Sequence, residues 1–107
     1  MKFDDKAVPL QLIPPEALIE VAKVLGYGAK KYAVNDWRRD TIQNIPMSRT
    51  YGSIQRHLNK WYAGEDVDPD TGLNHIAHAT TQCMILLMAL QEAPEAMDDR
   101  YTTTDKK

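Results

Sequence analysis

The sequence predicts an all-α fold: a small bundle of three main helices followed by a short C-terminal segment. Three observations carry this. Apolar residues recur at steps of three and four in two stretches, and a third stretch is apolar almost all round. No segment alternates with period two for long enough to make a strand. The 107 residues suffice for one domain with one modest core. That domain is expected over residues 1–94, with a polar, flexible tail over 95–107.

The elements follow in order. Residues 1–13 should be extended, because Pro9 and then Pro14-Pro15 prevent an early helix. Pro15 suits the first turn of a helix from about Pro15 to Tyr32, whose apolar stripe is Leu18, Val21, Ala22, Leu25, Ala29 and Tyr32. Gly26 and Gly28 weaken its last turns, either as a bend or as a place where another group comes close to the backbone. Asn35, Asp36, Asn44 and Pro46 make residues 33–47 a loop. Ser48 can cap a second helix, Arg49 to Ala63, with Tyr51, Ile54, Leu58, Trp61 and Tyr62 on its apolar side and Gly64 at its end. An acidic loop closed by Gly72 leads to a third helix, from Leu73 or Asn74 to Glu92, which Pro94 stops. From Ile76 to Leu90 this helix is too apolar for two neighbours to cover, so a homodimer or higher oligomer is expected.

Bulk properties narrow the function. The chain is 43% apolar and 26% charged, as in ordinary soluble proteins. Its 13 Lys and Arg against 15 Asp and Glu leave a net charge of −2, which speaks against nucleic-acid binding by bulk charge. The single cysteine, Cys83, rules out an intrachain disulfide and is expected to be a small buried hydrophobe. The N-terminal residues Met1 to Lys6 hold no apolar signal core, and the run from Cys83 to Leu90 is too short to cross a bilayer. A cytoplasmic location is therefore expected, with no membrane partner.

The chemistry-bearing residues concentrate in Gly64-Glu65-Asp66-Val67-Asp68-Pro69-Asp70-Thr71-Gly72 and in His75 and His78 just beyond. Asp66, Asp68 and Asp70 alternate as in a calcium loop, but Thr71 stands where that loop needs glycine and Ala77 where it needs glutamate. A solvated turn capping the third helix through Asp70 or Asn74 is the plainer account. His75 and His78 share one helix face, continued by Gln82, and two imidazoles so spaced can hold one metal ion. No His-Glu-x-x-His motif is present, and no His-Asp dipeptide. Glu16 and Glu20, one turn apart, are either surface residues, Glu20 beside Lys23, or two carboxylates converging on a hard cation such as Mg²⁺. Lys30, Lys31, Arg38 and Arg39, and Arg49, Arg56, His57 and Lys60, are either solvated faces or phosphate contacts. Of the two tryptophans, Trp61 is expected in the core and Trp37, in a loop, is the candidate for stacking on a base.

Taken together, these residues resemble a family. Pro14-Pro15-Glu16-Ala17-Leu18, Gly28-Ala29-Lys30-Lys31-Tyr32 and Asn35-Asp36-Trp37 look like the phage-type dATP/dGTP diphosphohydrolases (MazZ-like). So do Arg56-His57-Leu58 with Trp61, Gly64-Glu65-Asp66 with Asp68 and Gly72, and His75-Ile76-Ala77-His78-Ala79. The resemblance covers about residues 8 to 90, and the motif set is specific as a whole. More distantly it extends to the MazG-type nucleotide pyrophosphohydrolases, which are helical, oligomeric and Mg²⁺-dependent.

The resemblance implies hydrolysis of a purine deoxynucleoside triphosphate, dGTP or dATP, to the monophosphate and pyrophosphate. Mg²⁺ or Mn²⁺ would be held by ligands among Glu16, Glu20, Glu65, Asp68 and His78, with Glu16 and Glu20 as the catalytic carboxylates. Lys31, Trp37, Arg56, His57 and His75 would bind substrate. The sequence departs from the MazG pattern at two points. Glu16 and Glu20 are spaced by four rather than three, and His75-x-x-His78 stands on the helix where Glu-x-x-Asp would be expected. The nearby Glu-x-x-Asp, Glu65 to Asp68, falls in the loop. These departures favour the alternative, a non-catalytic nucleotide-binding or regulatory helical module.

Overall fold

The computed structural model describes residues 7–101. Four α-helices form the fold: α1 (Pro15–Lys31), the short α2 (Ile42–Asn44), α3 (Met47–Tyr62) and α4 (His75–Glu92). The described residues contain no strand; a lone antiparallel bridge joins Val67 to Asn74. The all-α expectation therefore holds, and α1 begins at Pro15 as expected.

α4 is the axis of the molecule. α3 packs along one side of it, α1 along another, and α2 with the turns around it covers its C-terminal half. The small core is Ile42, Met47, Ile85 and Ala89, flanked by Trp37, Met84, Leu86 and Ala93. Burial of these side chains supplies the main driving force for the pairing, since short helices are marginal in isolation. α1 buries no residue completely, and Leu18 and Ile19 remain 55% exposed.

Several local expectations are corrected. Leu10–Leu12 form a 3-10 turn rather than extended chain. The expected loop 33–47 contains a π-helical turn, Trp37–Thr41, running directly into α2. Arg38 ties this turn to the end of α4 through two hydrogen bonds to Glu92, of 3.1 and 3.0 Å. Ser48 lies inside α3 and does not cap it; Pro46 occupies the cap position. The Ser48 amide and hydroxyl instead donate to the carboxylate of Asp99, so the C-terminal segment folds back and supplies the missing N-terminal acceptor.

The core placement expected of Trp61 is corrected. Trp61 is 44% exposed, while Trp37 packs against the core. The apolar side of α3 is rotated from the expected stripe: Met47, Thr50 and Ile54 are buried, and Tyr51 and Tyr62 face outward. Cys83 sits on the exposed side of α4 rather than in the interior. The polar tail begins with a 3-10 turn, Glu95–Met97. Residues 1–6 and 102–107, for which an extended start and a flexible end were expected, lie outside the described residues.

Candidate active site

The loop between α3 and α4 builds the site. α3 ends on Gly64, whose φ of 105° is open to glycine at little strain. There the Gly64 amide donates to Trp61 O and the Glu65 amide to Lys60 O, a paired closure that satisfies the last carbonyls of the helix. The chain then doubles back. The Asp68 amide donates to Leu73 O at 2.8 Å, the Gly72 amide to Asp68 O at 2.8 Å and the His75 amide to Asp66 O at 2.9 Å. The Asp70 amide donates to the Asp68 carboxylate at 2.8 Å. Asn74 caps α4 by accepting from the amides of Ile76 and Ala77, the second of the two expected caps. This geometry turns Glu65, Asp68 and Thr71 toward the first turn of α4.

Three imidazoles meet there. His57 from α3 lies between the two histidines of α4. Its ring stacks on that of His78 with centroids 4.6 Å apart and planes 5° from parallel. Its Nδ1 is hydrogen-bonded to Nδ1 of His75 at 2.9 Å. His75 is completely buried, and its Nε2 meets the Glu65 carboxylate at 2.7 Å. An ionised carboxylate only accepts, so His75 Nε2 donates. In a neutral His75 ring Nδ1 then accepts, His57 Nδ1 donates, and His57 Nε2 is left with a free lone pair. His78 Nε2 is paired to the Thr71 hydroxyl at 2.7 Å, and the same hydroxyl oxygen accepts from the Leu73 amide. A hydroxyl has one hydrogen and two lone pairs, so Thr71 can accept from the Leu73 amide and still either donate to or accept from His78 Nε2, according to the tautomer of the ring.

The electrostatics agree with neutral rings on His57 and His78. Burial pushes the His57 pKa below its ordinary value, and repulsion from His78 and His75 adds to this. Burial likewise lowers His78, helped by His75 and opposed by Asp68. Burial works to raise Asp68, but the Asp70 amide and the three imidazoles outweigh it and hold the carboxylate ionised.

One nitrogen each of His57 and His75 and one oxygen of Asp68 lie within 4.8 Å of one another. Two imidazoles and a carboxylate suit a divalent first-row ion, whose bonds to nitrogen are about 2.0–2.1 Å long. Two such bonds at a right angle place their nitrogens about 3 Å apart, close to the observed 2.9 Å between the Nδ1 atoms. The residues therefore fit an ion, and Mn²⁺ suits mixed nitrogen and oxygen donors better than Mg²⁺ does.

The other candidates are placed as follows. Glu65 and Asp68 join the cluster, Glu65 through His75 rather than as a member of the converging group. His78 is engaged by Thr71. Glu16 and Glu20 are exposed on the N-terminal half of α1, and Glu20 pairs with Lys23 at 2.9 Å. Arg56 is exposed on α3. Lys31 is exposed with its ammonium 5.5 Å from the Tyr32 ring. Sequence reasoning missed Thr71 as a partner of His78, because only closure of the loop brings the two together.

Beside His78 and Thr71 opens a cleft of about 670 Å³ between the C-terminal half of α1, the Trp37–Thr41 turn and α4. Trp37, Tyr27 and Tyr32 line it, as do Asp36 and Gln82. It falls within the size of ordinary small-molecule sites, about 300–1,000 Å³.

A protein of Salmonella phage PMBT28 named dATP/dGTP diphosphohydrolase is 34% identical over 102 residues, 95% of this chain and 33% of that protein. The chain thus spans about a third of the length of that curated relative. No solved structure matches the chain. The family model described as dATP/dGTP diphosphohydrolase, N-terminal, matches residues 1–100, nearly the whole sequence. On that match and the phage relative together, the chain belongs to the dATP/dGTP diphosphohydrolase N-terminal family.

Proposed function

We propose that this domain hydrolyses purine deoxynucleoside triphosphates, dATP or dGTP, to the monophosphate and pyrophosphate with the help of a divalent ion. The observation that carries this is the convergence of His57, His75 and Asp68 beside a cleft of nucleoside size. The relative's printed name supports the substrate class.

His57, His75 and Asp68 would hold the ion, Mn²⁺ in preference to Mg²⁺. Bound there, the ion would supply charge to offset the phosphate oxygens and would make a coordinated water more acidic. Glu65 fixes the tautomer and orientation of His75, as carboxylates behind ligating histidines do, and leaves its Nδ1 lone pair for the ion; an ion held between the two Nδ1 atoms would replace the hydrogen bond between them, with His57 in its Nε2–H tautomer. His78, on the cleft wall and neutral, can take a proton from a nucleophile or present one to an oxygen, with Thr71 holding its ring in place. Glu16 and Glu20 take no part in this scheme.

The test is direct. Incubation with dGTP and dATP in Mn²⁺ or Mg²⁺ should yield dGMP or dAMP with pyrophosphate, resolved by ion-exchange chromatography. EDTA and the His57→Gln and Asp68→Asn variants should abolish the products. Tight nucleotide binding with no turnover in any metal would instead establish the non-catalytic module.

A further inference from the structure

The cleft beside His78 is unlike a phosphate site. None of the described residues lining it is a lysine or an arginine. The two nearby guanidinium groups are already paired: Arg38 is clamped on Glu92 and lies 5.2 Å from the centre of the Trp37 ring, and Arg39 donates to the Val34 carbonyl at 2.7 Å. The charged groups that do line the cleft are the carboxylates of Asp36 and Asp40. Asp40 already accepts from Asn44 at 2.9 Å. Asp36 is half-buried, and among the described residues its carboxylate accepts no hydrogen bond. An acidic cleft repels a triphosphate and attracts N–H donors.

The walls point the same way. Tyr27, Tyr32 and Trp37 offer aromatic faces, which favour a flat aromatic ligand. Gly26 and Gly28, on either side of Tyr27 in α1, also line the cleft, and a Cβ at either would meet no atom within 4 Å. Neither has a positive φ. Glycine is a poor residue for a helix interior, and neither packing nor backbone geometry within this chain requires it at these positions. Both glycines simply leave room in the cleft.

We infer that the cleft is a nucleobase pocket that selects guanine over adenine through the carboxylate of Asp36. The inference rests on the proposed hydrolysis only for the identity of the complete substrate. Guanine presents two adjacent donors, N1–H and the N2 amino group, which a carboxylate can accept together. Adenine presents an N1 lone pair at the same edge, which the carboxylate would repel. With the base among the acids, the phosphates are driven to the other end, where His78 and Thr71 lead to the His57–His75–Asp68 cluster. The acidic lining thus orients the nucleotide as well as selecting its base.

The nucleosides deoxyguanosine and deoxyadenosine are the probes, because they carry no phosphate and need no metal. Titration calorimetry on EDTA-treated protein should show deoxyguanosine binding at least tenfold tighter than deoxyadenosine. Asp36→Asn, nearly the same shape, should weaken deoxyguanosine about tenfold or more and erase the preference, while manganese binding stays at the wild-type level. Gly28→Leu, which fills the wall, should abolish binding of both nucleosides and leave manganese binding unchanged. Equal affinity for the two nucleosides, an unchanged preference in Asp36→Asn, or full binding in Gly28→Leu would overturn the inference. The two proposals fail separately. Nucleoside binding as described without triphosphate turnover removes the enzyme and leaves the pocket. Turnover whose dGTP to dATP ratio ignores Asp36→Asn removes the pocket and leaves the enzyme.

Discussion

Replacing Gly28 by alanine should make the protein more stable. Gly28 lies within α1, its carbonyl accepts from the Tyr32 amide at 2.9 Å, and its φ is not positive. Alanine therefore fits the backbone, and its Cβ would enter open space. The gain comes from chain entropy that alanine never had to lose, about 0.5–1 kcal/mol for an interior helix position. A domain of this length unfolds with an entropy of about 2 cal/mol/K per residue, so the gain translates to a rise of about 2–5 °C in Tm. Circular dichroism melts at 222 nm would read the shift. The same methyl group narrows the cleft, so nucleoside affinity should fall modestly as Tm rises. Such opposed movements mark a position where room for a ligand is kept at the expense of stability. A Tm below that of the wild type would refute the reasoning, because it would mean that the glycine answers a steric or backbone need.

Two further outcomes are expected. His57 and His78 have pKa values below the ordinary 6.5, so on acidification the unfolded chain takes up protons that the folded chain refuses. Stability should therefore fall as the pH drops below about 6.5, and His57→Gln should flatten that slope in urea titrations across pH 7.5 to 5; a slope unchanged by the substitution would place the titration elsewhere. Lowered Asp68 adds a second loss at lower pH, below the ordinary carboxylate value of 3.8, as its charge is removed. We also propose that the chain pairs with a second copy through α1, whose Leu18 and Ile19 are half-exposed on a helix with no buried residue. Light scattering on a sizing column should give twice the 12.2 kDa chain mass, and Leu18→Lys should shift it toward the monomer; a wild-type monomer would end the proposal.

The helices were legible because their patterns are local. The three-and-four spacing of α1, the all-round apolar run of α4, Gly64 and Asn74 as punctuation all act within a turn or two of where they stand. What escaped the sequence depends on residues far apart along the chain. Asn35 and Asp36 mark residues 33–47 as a loop, yet packing of Trp37 on Ile42, Met47 and Ile85 winds the segment into a π turn. Ser48 has the chemistry of a cap but lies two residues beyond the position, and Asp99, 51 residues away, serves the helix end instead. His57 looked like a member of a basic face on α3. Only its approach to α4 makes it the centre of three imidazoles.

The acidic loop shows how the cluster acquires different chemistries from similar parts. Four carboxylates in six residues should repel one another, but the loop separates them. Glu65 reaches to His75 and Asp68 turns inward to the Asp70 amide, while Asp66 and Asp70 stay exposed to water. The loop meets the first turn of α4 at two points, Glu65 at His75 and Thr71 at His78. The partners differ, and the difference matters. His75 is backed by a carboxylate that only accepts, which fixes its tautomer and passes the constraint on to His57. His78 is backed by the Thr71 hydroxyl, which can turn its hydrogen toward or away from the ring. His75, fixed through Nε2 by Glu65 and with its Nδ1 facing that of His57, suits holding an ion in place. A histidine on the wall of the cleft whose only side-chain hydrogen bond among the described residues is to a rotatable hydroxyl suits moving a proton. The division of labour between the two histidines of α4 is thus set by the loop, which gives one a carboxylate and the other an alcohol.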